Sequence, residues 1–207
     1  MSEQLTNAVA ELKEDEAIQM VKDMVEKGED ANMIFDSARK GMEVVGKRFA
    51  DGEYFLPELI YSGEIFKSIS EIVKPIMTAE SGGEKIGKII VGTVAGDIHD
   101  IGKDIVVFML DISGFEVYDL GVDVPVQTFV DKIKETEAPI VALSGFLTLA
   151  FDAMKDTCDA IVSAGLRDKV KIMIGGGQID EEIKKYAGAD AYGRDAMTAV
   201  ALAKEWI

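Results

Sequence analysis

The chain contains a single histidine, His99, which lies two residues after the carboxylate of Asp97. At this spacing the carboxylate can accept a hydrogen bond from the Nδ1–H group of the imidazole. That bond would leave Nε2 free as a metal ligand and raise its basicity. The alternative for a lone histidine is a structural role, here as a cap on the helix that follows. We favour the metal-ligand role because the segment directly follows an apolar strand pattern, at the edge of the sheet where ligands bind.

The scarcity of other metal-binding side chains restricts the kind of metal site. One histidine and one cysteine, Cys158, exclude paired-histidine zinc sites, most non-haem iron sites, cysteine clusters and an internal disulfide. Asp97 and His99 alone are too few ligands for a dedicated metal ion. A metal that arrives already held by a macrocycle needs only one protein ligand, and this sequence meets that condition.

Other chemistries suggested by the same segment lack a required residue. In Gly102-Lys103-Asp104 an acid stands where a phosphate-binding loop needs a hydroxyl group. The glycine fingerprint of a dinucleotide site is absent after the first predicted strand. A phosphohydrolase that used His99 and Asp100 would need further histidines.

The elements that position this segment alternate between strands and helices. Short β-rich runs predict strands over 88–94, 115–120, 140–144, 170–174 and 189–192, and apolar periodicity predicts helices over 101–113, 126–136, 150–164, 180–186 and 196–206. This alternation is typical of an α/β domain with a doubly wound, five-stranded parallel sheet. Ligands of such sheets bind beyond the carboxyl ends of the strands. The loops at that edge are 95–102, 144–148, 175–177 and 193–195, together with the less informative 121–125.

The N-terminal part shows helical patterns only. Apolar stripes at spacings of three and four predict helices, and they run through Ile18, Val21 and Val25, through Ile34, Ala38, Met42, Val45 and Phe49, and through Leu59, Gly63, Phe66, Ile69, Val73 and Ile76. With a further helix near 3–12, they suggest a four-helix bundle. Asp30 is a candidate N-cap, and Pro57 suits a first helical turn. The Ser81-Gly82-Gly83 junction marks the predicted boundary between a helical domain, 1–80, and an α/β domain, 84–207.

The charge argues against some classes of partner. The formal net charge is −16, and it divides equally, because residues 1–80 carry 9 basic and 17 acidic residues and residues 81–207 carry 13 and 21. An acidic surface repels phosphate backbones, so we expect no nucleic-acid partner. It is compatible with plain solubility or with a protein partner that has a basic face. No segment predicts a membrane span or a signal peptide, so we expect a cytoplasmic protein.

Two groups of residues resemble known motifs. The pattern Asp97-x-His99-x-x-Gly102 is similar to the cobalamin-binding signature of corrinoid proteins, methionine synthase and the carbon-skeleton mutases. In that family a serine follows the glycine after about 41 residues, and here residues 103–143 number 41 and precede Ser144. Gly175 and Gly176 then match the glycine pair of the family. In the N-terminal part, the segments 45–49 and 52–58 resemble the helical cap domain of methyl-transferring corrinoid proteins.

The resemblance implies a cofactor site in a Rossmann-like cobalamin-binding domain. The cofactor would be cobalamin or a related corrinoid, bound between the helical cap and the sheet edge with its own nucleotide base detached from cobalt. His99 would replace that base as the axial metal ligand, and Asp97 would orient His99. Gly102 would let the chain pass close to the corrin.

The resemblance also implies roles for residues outside this motif. The detached nucleotide tail would be bound by Ser144, Thr148, Gly175, Gly176 and Gly177. Phe55 and Leu56 would cover the upper face of the corrin. The chain departs from the family in two places: Phe146 stands where Ser-x-Leu has its leucine, with Leu147 one place later, and Ala150 replaces a serine that extends the Asp–His pair in methionine synthase.

The function implied is that of a methyl carrier. The protein would be a corrinoid subunit rather than a complete enzyme, and it would carry a methyl group on cobalt between a substrate-specific methyltransferase and a second methyltransferase. A reductive activase is a further implied partner. Two alternatives remain open from the sequence. A cobalamin-dependent sensor would carry a DNA-binding head, and a free-standing mutase subunit would leave the N-terminal helices unexplained.

Overall fold

The computed structural model describes residues 2–76, 85–177 and 179–207, and it divides into two compact units, Met1–Glu84 and Lys85–Ile207. The Ser81-Gly82-Gly83 junction proposed from the sequence lies outside the described residues. Within the parts that are described, no helix is long and apolar enough to cross a bilayer.

Four helices pack against one another in the first unit. They are α1 (Ser2–Ala10), α2 (Glu14–Glu26), α3 (Ala31–Ala50) and α4 (Leu56–Val73), and a 3-10 turn, Lys74–Ile76, follows α4. The carboxylate of Asp30 caps α3 by accepting a 2.8 Å hydrogen bond from the backbone N–H of Asn32. At the start of α4, Glu58 accepts a 3.0 Å hydrogen bond from the backbone N–H of Phe55, as in a capping box.

The predicted stripes of α3 and α4 contribute to the core of this unit, whereas the stripes of α2 and of the end of α4 were partly wrong. In α2 the buried residues are Ala17, Val21 and Met24, and the predicted Ile18 and Val25 are half-buried. The members of the α3 stripe from Ile34 to Val45 are fully buried, and in α4 so are Ile69 and Val73. Ile76, which we predicted to continue the α4 stripe, is exposed in the 3-10 turn instead. Pro75 explains the difference, because a proline disfavours helical geometry in the residue before it.

The second unit is a parallel sheet between two helical layers, which confirms the predicted fold class. Its strands are β1 (Lys88–Thr93), β2 (Glu116–Asp119), β3 (Ile140–Ser144), β4 (Lys171–Gly175) and β5 (Ala191–Gly193). Its helices are α5 (Ile101–Ile112), α6 (Val126–Thr136), α7 (Ala150–Ser163), α8 (Glu181–Ala187) and α9 (Ala196–Glu205). Helix α5 packs with α9, whereas α6 and α8 both pack with α7. Right-handed crossovers place these two groups on opposite faces of the sheet.

The strand order determines where a ligand can bind. The order is β2-β1-β3-β4-β5, with every neighbouring pair parallel. From β1 the chain first adds β2 on one side and then returns to add β3, β4 and β5 on the other side. The point at which the strand order changes direction therefore lies between β1 and β3. In doubly wound sheets the loops after such a pair of strands diverge, and the crevice between them is the usual ligand site. The loops that begin at Val94 and Gly145 flank this crevice.

Candidate functional site

The carboxylate of Asp97 joins the two loops at the crevice. It is fully buried, and its Oδ1 accepts hydrogen bonds from the backbone N–H and the Nδ1 of His99, at 3.0 and 2.6 Å. Its Oδ2 accepts from the backbone N–H groups of Phe146 and Leu147, at 2.6 and 3.0 Å. Asp97 therefore holds the histidine with one oxygen and the loop after β3 with the other. The predicted Asp97–His99 hydrogen bond is present.

These hydrogen bonds stabilise the ionised form of Asp97. Burial raises the pKa of the Asp97 carboxyl group, but the N–H donors of Leu147, His99 and Phe146 more than offset it, so the pKa lies well below its ordinary value. Asp97 is therefore ionised at neutral pH, and the proton in its contact with His99 lies on Nδ1. Nε2 of the neutral imidazole then carries a lone pair. No hydrogen bond to Nε2 occurs within the described residues, and the His99 side chain is 49% exposed.

Two residues that we did not single out from the sequence hold the backbone of this loop. Thr93, the buried last residue of β1, donates its hydroxyl hydrogen to the carbonyl oxygen of His99 at 2.9 Å. Asp123 donates its backbone N–H to the carbonyl oxygen of Asp97 at 2.9 Å, and its carboxylate accepts from the N–H of Gly96 at 2.7 Å. The loop after β2, which looked uninformative, is thus part of the site. Its signal was an aspartate two residues after a glycine in a turn.

A buried lysine fixes the start of α5, next to His99. The Nζ group of Lys103 donates a 2.7 Å hydrogen bond to Asp119 at the end of β2, and it lies 2.6 Å from the carboxylate of Asp104. Burial lowers the pKa of Lys103, but the two carboxylates more than compensate and the pKa is raised. Lys103 is therefore a structural cation that links α5 to the sheet, and the adjacent acid that excluded a phosphate-binding loop, Asp104, is one of its two partners.

Exposed apolar side chains lie on the same loops as the imidazole. They are Ile98, Ile101, Val122, Phe146, Leu147 and Leu149, which are between 38% and 79% exposed. They follow the carboxyl ends of β1, β2 and β3, so they share one edge of the sheet. Exposed apolar side chains on the loops that also present a free imidazole nitrogen indicate a candidate ligand site. The chemistry fits a large macrocycle whose metal needs one further ligand.

The glycines of the predicted site differ in what surrounds them. A Cβ atom at Gly102 would meet no other atom within 4 Å, so packing inside the protein does not require glycine there. At Gly176 and Gly177 the backbone has positive φ, and a Cβ would lie 2.6 Å from the carbonyl oxygen of Gly145 and 2.8 Å from that of Phe146. These two glycines thus pack on the loop that binds Asp97. A Cβ at Gly175 would make only an ordinary 3.5 Å contact.

Four further predicted residues have no tested role. Ser144 ends β3 and Thr148 lies in the loop that follows, and neither hydroxyl group has a hydrogen-bond partner among the described residues. Both are available to a ligand. In the helical unit, Phe55 is 66% exposed just before α4, and Leu56 is the half-buried first residue of that helix. Their contacts with a cofactor remain predictions.

Ala150 stands where the resemblance places a serine that extends the Asp–His pair. The structure shows which groups contact Asp97 instead. Ala150 begins α7 and is buried. The second oxygen of Asp97 is occupied by the backbone N–H groups of Phe146 and Leu147. An amide N–H stabilises a carboxylate but does not accept a proton from it. A side-chain proton relay beyond Asp97 is therefore replaced by two fixed donors.

Comparison with known proteins agrees with this geometry. The B12 binding domain family matches residues 87–201, and a second B12 binding domain family matches residues 1–74. The chain is 37% identical to the dimethylamine corrinoid protein of Methanosarcina barkeri over 98% of this chain and 95% of that protein. It is similar to a cobalamin-binding protein of Desulfitobacterium hafniense DCB-2, with a TM-score of 0.83 and 39% identity over 100% and 98% of the two chains.

A third similarity is to a structure that contains a partner enzyme. The methanol:cobalamin methyltransferase complex MtaBC of Methanosarcina barkeri has a TM-score of 0.82 and 26% identity, over 97% of this chain and 77% of that one. The fold, the single presented imidazole and the family matches together define a B12-binding protein. Within that class, the chain belongs to the family of corrinoid proteins that includes the dimethylamine corrinoid protein. The resemblance drawn from Asp97, His99 and Gly102 is confirmed.

Proposed function

We propose that this protein carries a methyl group on the cobalt of a bound corrinoid, between a substrate-specific methyltransferase and a second methyltransferase. One observation carries the proposal. At the crevice between β1 and β3, Nε2 of His99 has no hydrogen-bond partner among the described residues, while Asp97 holds Nδ1 and exposed apolar side chains lie on the same loops. When bound, the corrinoid would supply a cobalt centre that accepts and releases the methyl group.

The protein's own residues bind and orient. His99 would hold the cobalt through Nε2, and the ionised Asp97 would fix its tautomer and increase its donation to the metal. The apolar side chains at the edge would exclude water from the bound cofactor. Ser144, Thr148 and the glycines 175–177 form the proposed site for the nucleotide tail. Phe55 and Leu56 are proposed to contact the upper face.

The relatives support the choice of partners. One relative is named as a dimethylamine corrinoid protein, and one similar structure is named as a methanol:cobalamin methyltransferase complex. We therefore infer docking to a substrate:corrinoid methyltransferase. The acceptor-side methyltransferase, a reductive activase and the cytoplasmic location belong to the same proposal. Neither a sensor nor a mutase subunit is favoured by an observation in the structure.

The first test is reconstitution with hydroxocobalamin. We expect about one corrinoid per chain, with a protein imidazole in place of the cofactor's own base. In His99→Ala we expect much of the corrinoid to remain bound, because most contact area comes from the macrocycle and its tail. The visible spectrum and the nitrogen splitting in the paramagnetic resonance spectrum of the cobalt(II) form should change.

Two results would contradict this assignment. The first is a wild-type spectrum with the benzimidazole still on cobalt, and the second is a pair of identical spectra for His99→Ala and the wild type. Carrier function is tested separately. Methylated holoprotein should lose its methyl group to a methyl acceptor only when an acceptor-side methyltransferase is also present.

Gly102 provides a prediction with effects of opposite sign. Gly102→Ala should leave the free energy of unfolding of the apoprotein unchanged or raise it by up to about 1 kcal/mol, because alanine favours a helix and the site is open. The same variant should bind corrinoid more weakly, since the methyl group would occupy space near the macrocycle. Chemical denaturation of the apoprotein and titration with hydroxocobalamin measure the two effects. Unchanged affinity would mean that the corrin does not approach Gly102.

A further inference from the structure

Phe146 contacts the histidine in two different ways. Its ring lies against the imidazole of His99, with ring centroids 4.6 Å apart and planes inclined by 31°. Its backbone N–H donates to Asp97, the carboxylate that holds the same imidazole. This is the position where the chain departs from the Ser-x-Leu pattern. One residue thus contacts both members of the pair.

The imidazole needs a second constraint. Its only side-chain hydrogen bond within the described part of the chain runs from Nδ1 to Asp97. One bond fixes a point on the ring but permits the ring to tilt about that point. The side chain is 49% exposed, so packing on its other sides is incomplete. The Phe146 ring is the aromatic surface that limits this tilt.

The backbone of Phe146 is itself held in place. Its N–H donates to Asp97. Its carbonyl oxygen packs against Gly177 so closely that a Cβ atom added there would lie only 2.8 Å away. The preceding residue, Gly145, donates its N–H to the carbonyl oxygen of Gly175 at 3.1 Å. The ring therefore projects from a loop that is fixed on two sides.

We propose that Phe146 is a positioning residue for His99, whose ring sets the plane of the imidazole before the cofactor binds. The inference rests on the proposed role of His99 as the axial ligand, and it adds a determinant of ligand orientation. The direction of the Nε2 lone pair depends on the plane of the ring. A fixed plane lowers the cost of ordering when the metal arrives.

The test uses Phe146→Leu, with Phe146→Tyr as the conservative variant. Leucine keeps the backbone N–H and the apolar bulk but removes the aromatic face. In nuclear magnetic resonance spectra of the apoprotein, the carbon-bound imidazole protons of His99 should lose the ring-current shift caused by Phe146. Tyrosine should retain it. In the holoprotein, corrinoid affinity should fall roughly 2- to 10-fold for leucine, as expected for a lost aromatic pair.

Leu149→Ala is the matched control, because it removes an exposed apolar side chain from the same loop. It should leave the His99 resonances of the apoprotein unchanged, whether or not it lowers the affinity for the corrinoid. Imidazole resonances that are identical in Phe146→Leu and the wild type would overturn the proposal. Failure of His99 to bind cobalt would instead appear as unchanged spectra in His99→Ala, so the two failures are distinguishable.

Discussion

Replacing Asp97 with alanine is expected to lower the free energy of unfolding of the apoprotein by about 2–4 kcal/mol. The carboxylate is fully buried and accepts four hydrogen bonds. Three come from the backbone N–H groups of His99, Phe146 and Leu147, and the fourth comes from the imidazole of His99. Removing the shared acceptor leaves these donors without a partner in a partly buried site. Each unsatisfied donor costs about 1–3 kcal/mol, and water that enters the space recovers part of that cost.

The same change should also weaken the proposed bond between His99 and cobalt. Without Asp97, no carboxylate fixes the tautomer of His99 or the position of its Nδ1. Loss of such a partner typically reduces metal affinity or activity by about 10–100-fold. We therefore expect paramagnetic resonance spectra of the cobalt(II) holoprotein to show a smaller fraction with protein nitrogen on the metal than in the wild type.

Asp97→Asn separates the two effects. The amide retains one acceptor oxygen, which can accept hydrogen bonds either from His99 or from the N–H groups of Phe146 and Leu147. Its NH₂ group then faces the donors that the oxygen does not accept from. The free energy of unfolding of Asp97→Asn should lie between that of the wild type and that of Asp97→Ala. Asp131→Ala, an exposed carboxylate on α6 with one hydrogen bond to Gln127, should change stability by no more than about 0.5 kcal/mol. Urea denaturation measures all three variants, and an Asp97→Ala value equal to that of Asp131→Ala would contradict the argument.

The elements of the α/β unit were largely predictable because their patterns are local. The spans of β3 and α6 are those predicted, and β1 ends one residue earlier, at Thr93. The weakest prediction was β5, expected at 189–192 and found at Ala191–Gly193. It is a short edge strand and half-buried, so its sequence has less apolar character.

The site was predictable to the extent that it rests on side chains. The bond between Asp97 and His99 follows from two residue types at a fixed spacing. The N–H groups of Phe146 and Leu147 could not be foreseen, because every residue other than proline carries a backbone N–H. Their role depends on the sheet order, which places β1 beside β3. Phe146 and Leu147, which follow Asp97 by 49 and 50 residues in the chain, are thereby brought to its carboxylate.

The glycines after β4 have a physical role in the protein itself, besides the one that the resemblance implies. That resemblance implies that Gly175, Gly176 and Gly177 bind the nucleotide tail. The structure adds a reason for Gly176 that involves the protein alone, since a Cβ atom there would lie 2.6 Å from the carbonyl oxygen of Gly145. That distance is too short for a real contact, and the backbone has a φ of +105°.

Gly176→Leu is therefore expected to disrupt cofactor binding more than His99→Ala does. The side chain must displace the backbone at Gly145, and the displacement moves the adjacent donors of Phe146 and Leu147 away from Asp97. Gly176→Ala should already lower apoprotein stability by more than Gly165→Ala, where φ is +68° but no atom lies within 4 Å of the added Cβ. The difference between these two variants reports the clash together with the less favourable φ of Gly176, +105° against +68°.

Gly175→Ala distinguishes this packing from a contact with the tail. Its Cβ would have an ordinary 3.5 Å neighbour, so the stability of the apoprotein should change little. If the nucleotide tail passes the end of β4, this variant should nevertheless lose corrinoid affinity. Binding of hydroxocobalamin with wild-type affinity by both Gly175→Ala and Gly176→Leu would contradict both roles. Normal affinity in Gly175→Ala alone would assign the glycines to holding the loop that binds Asp97, and through it to the orientation of His99.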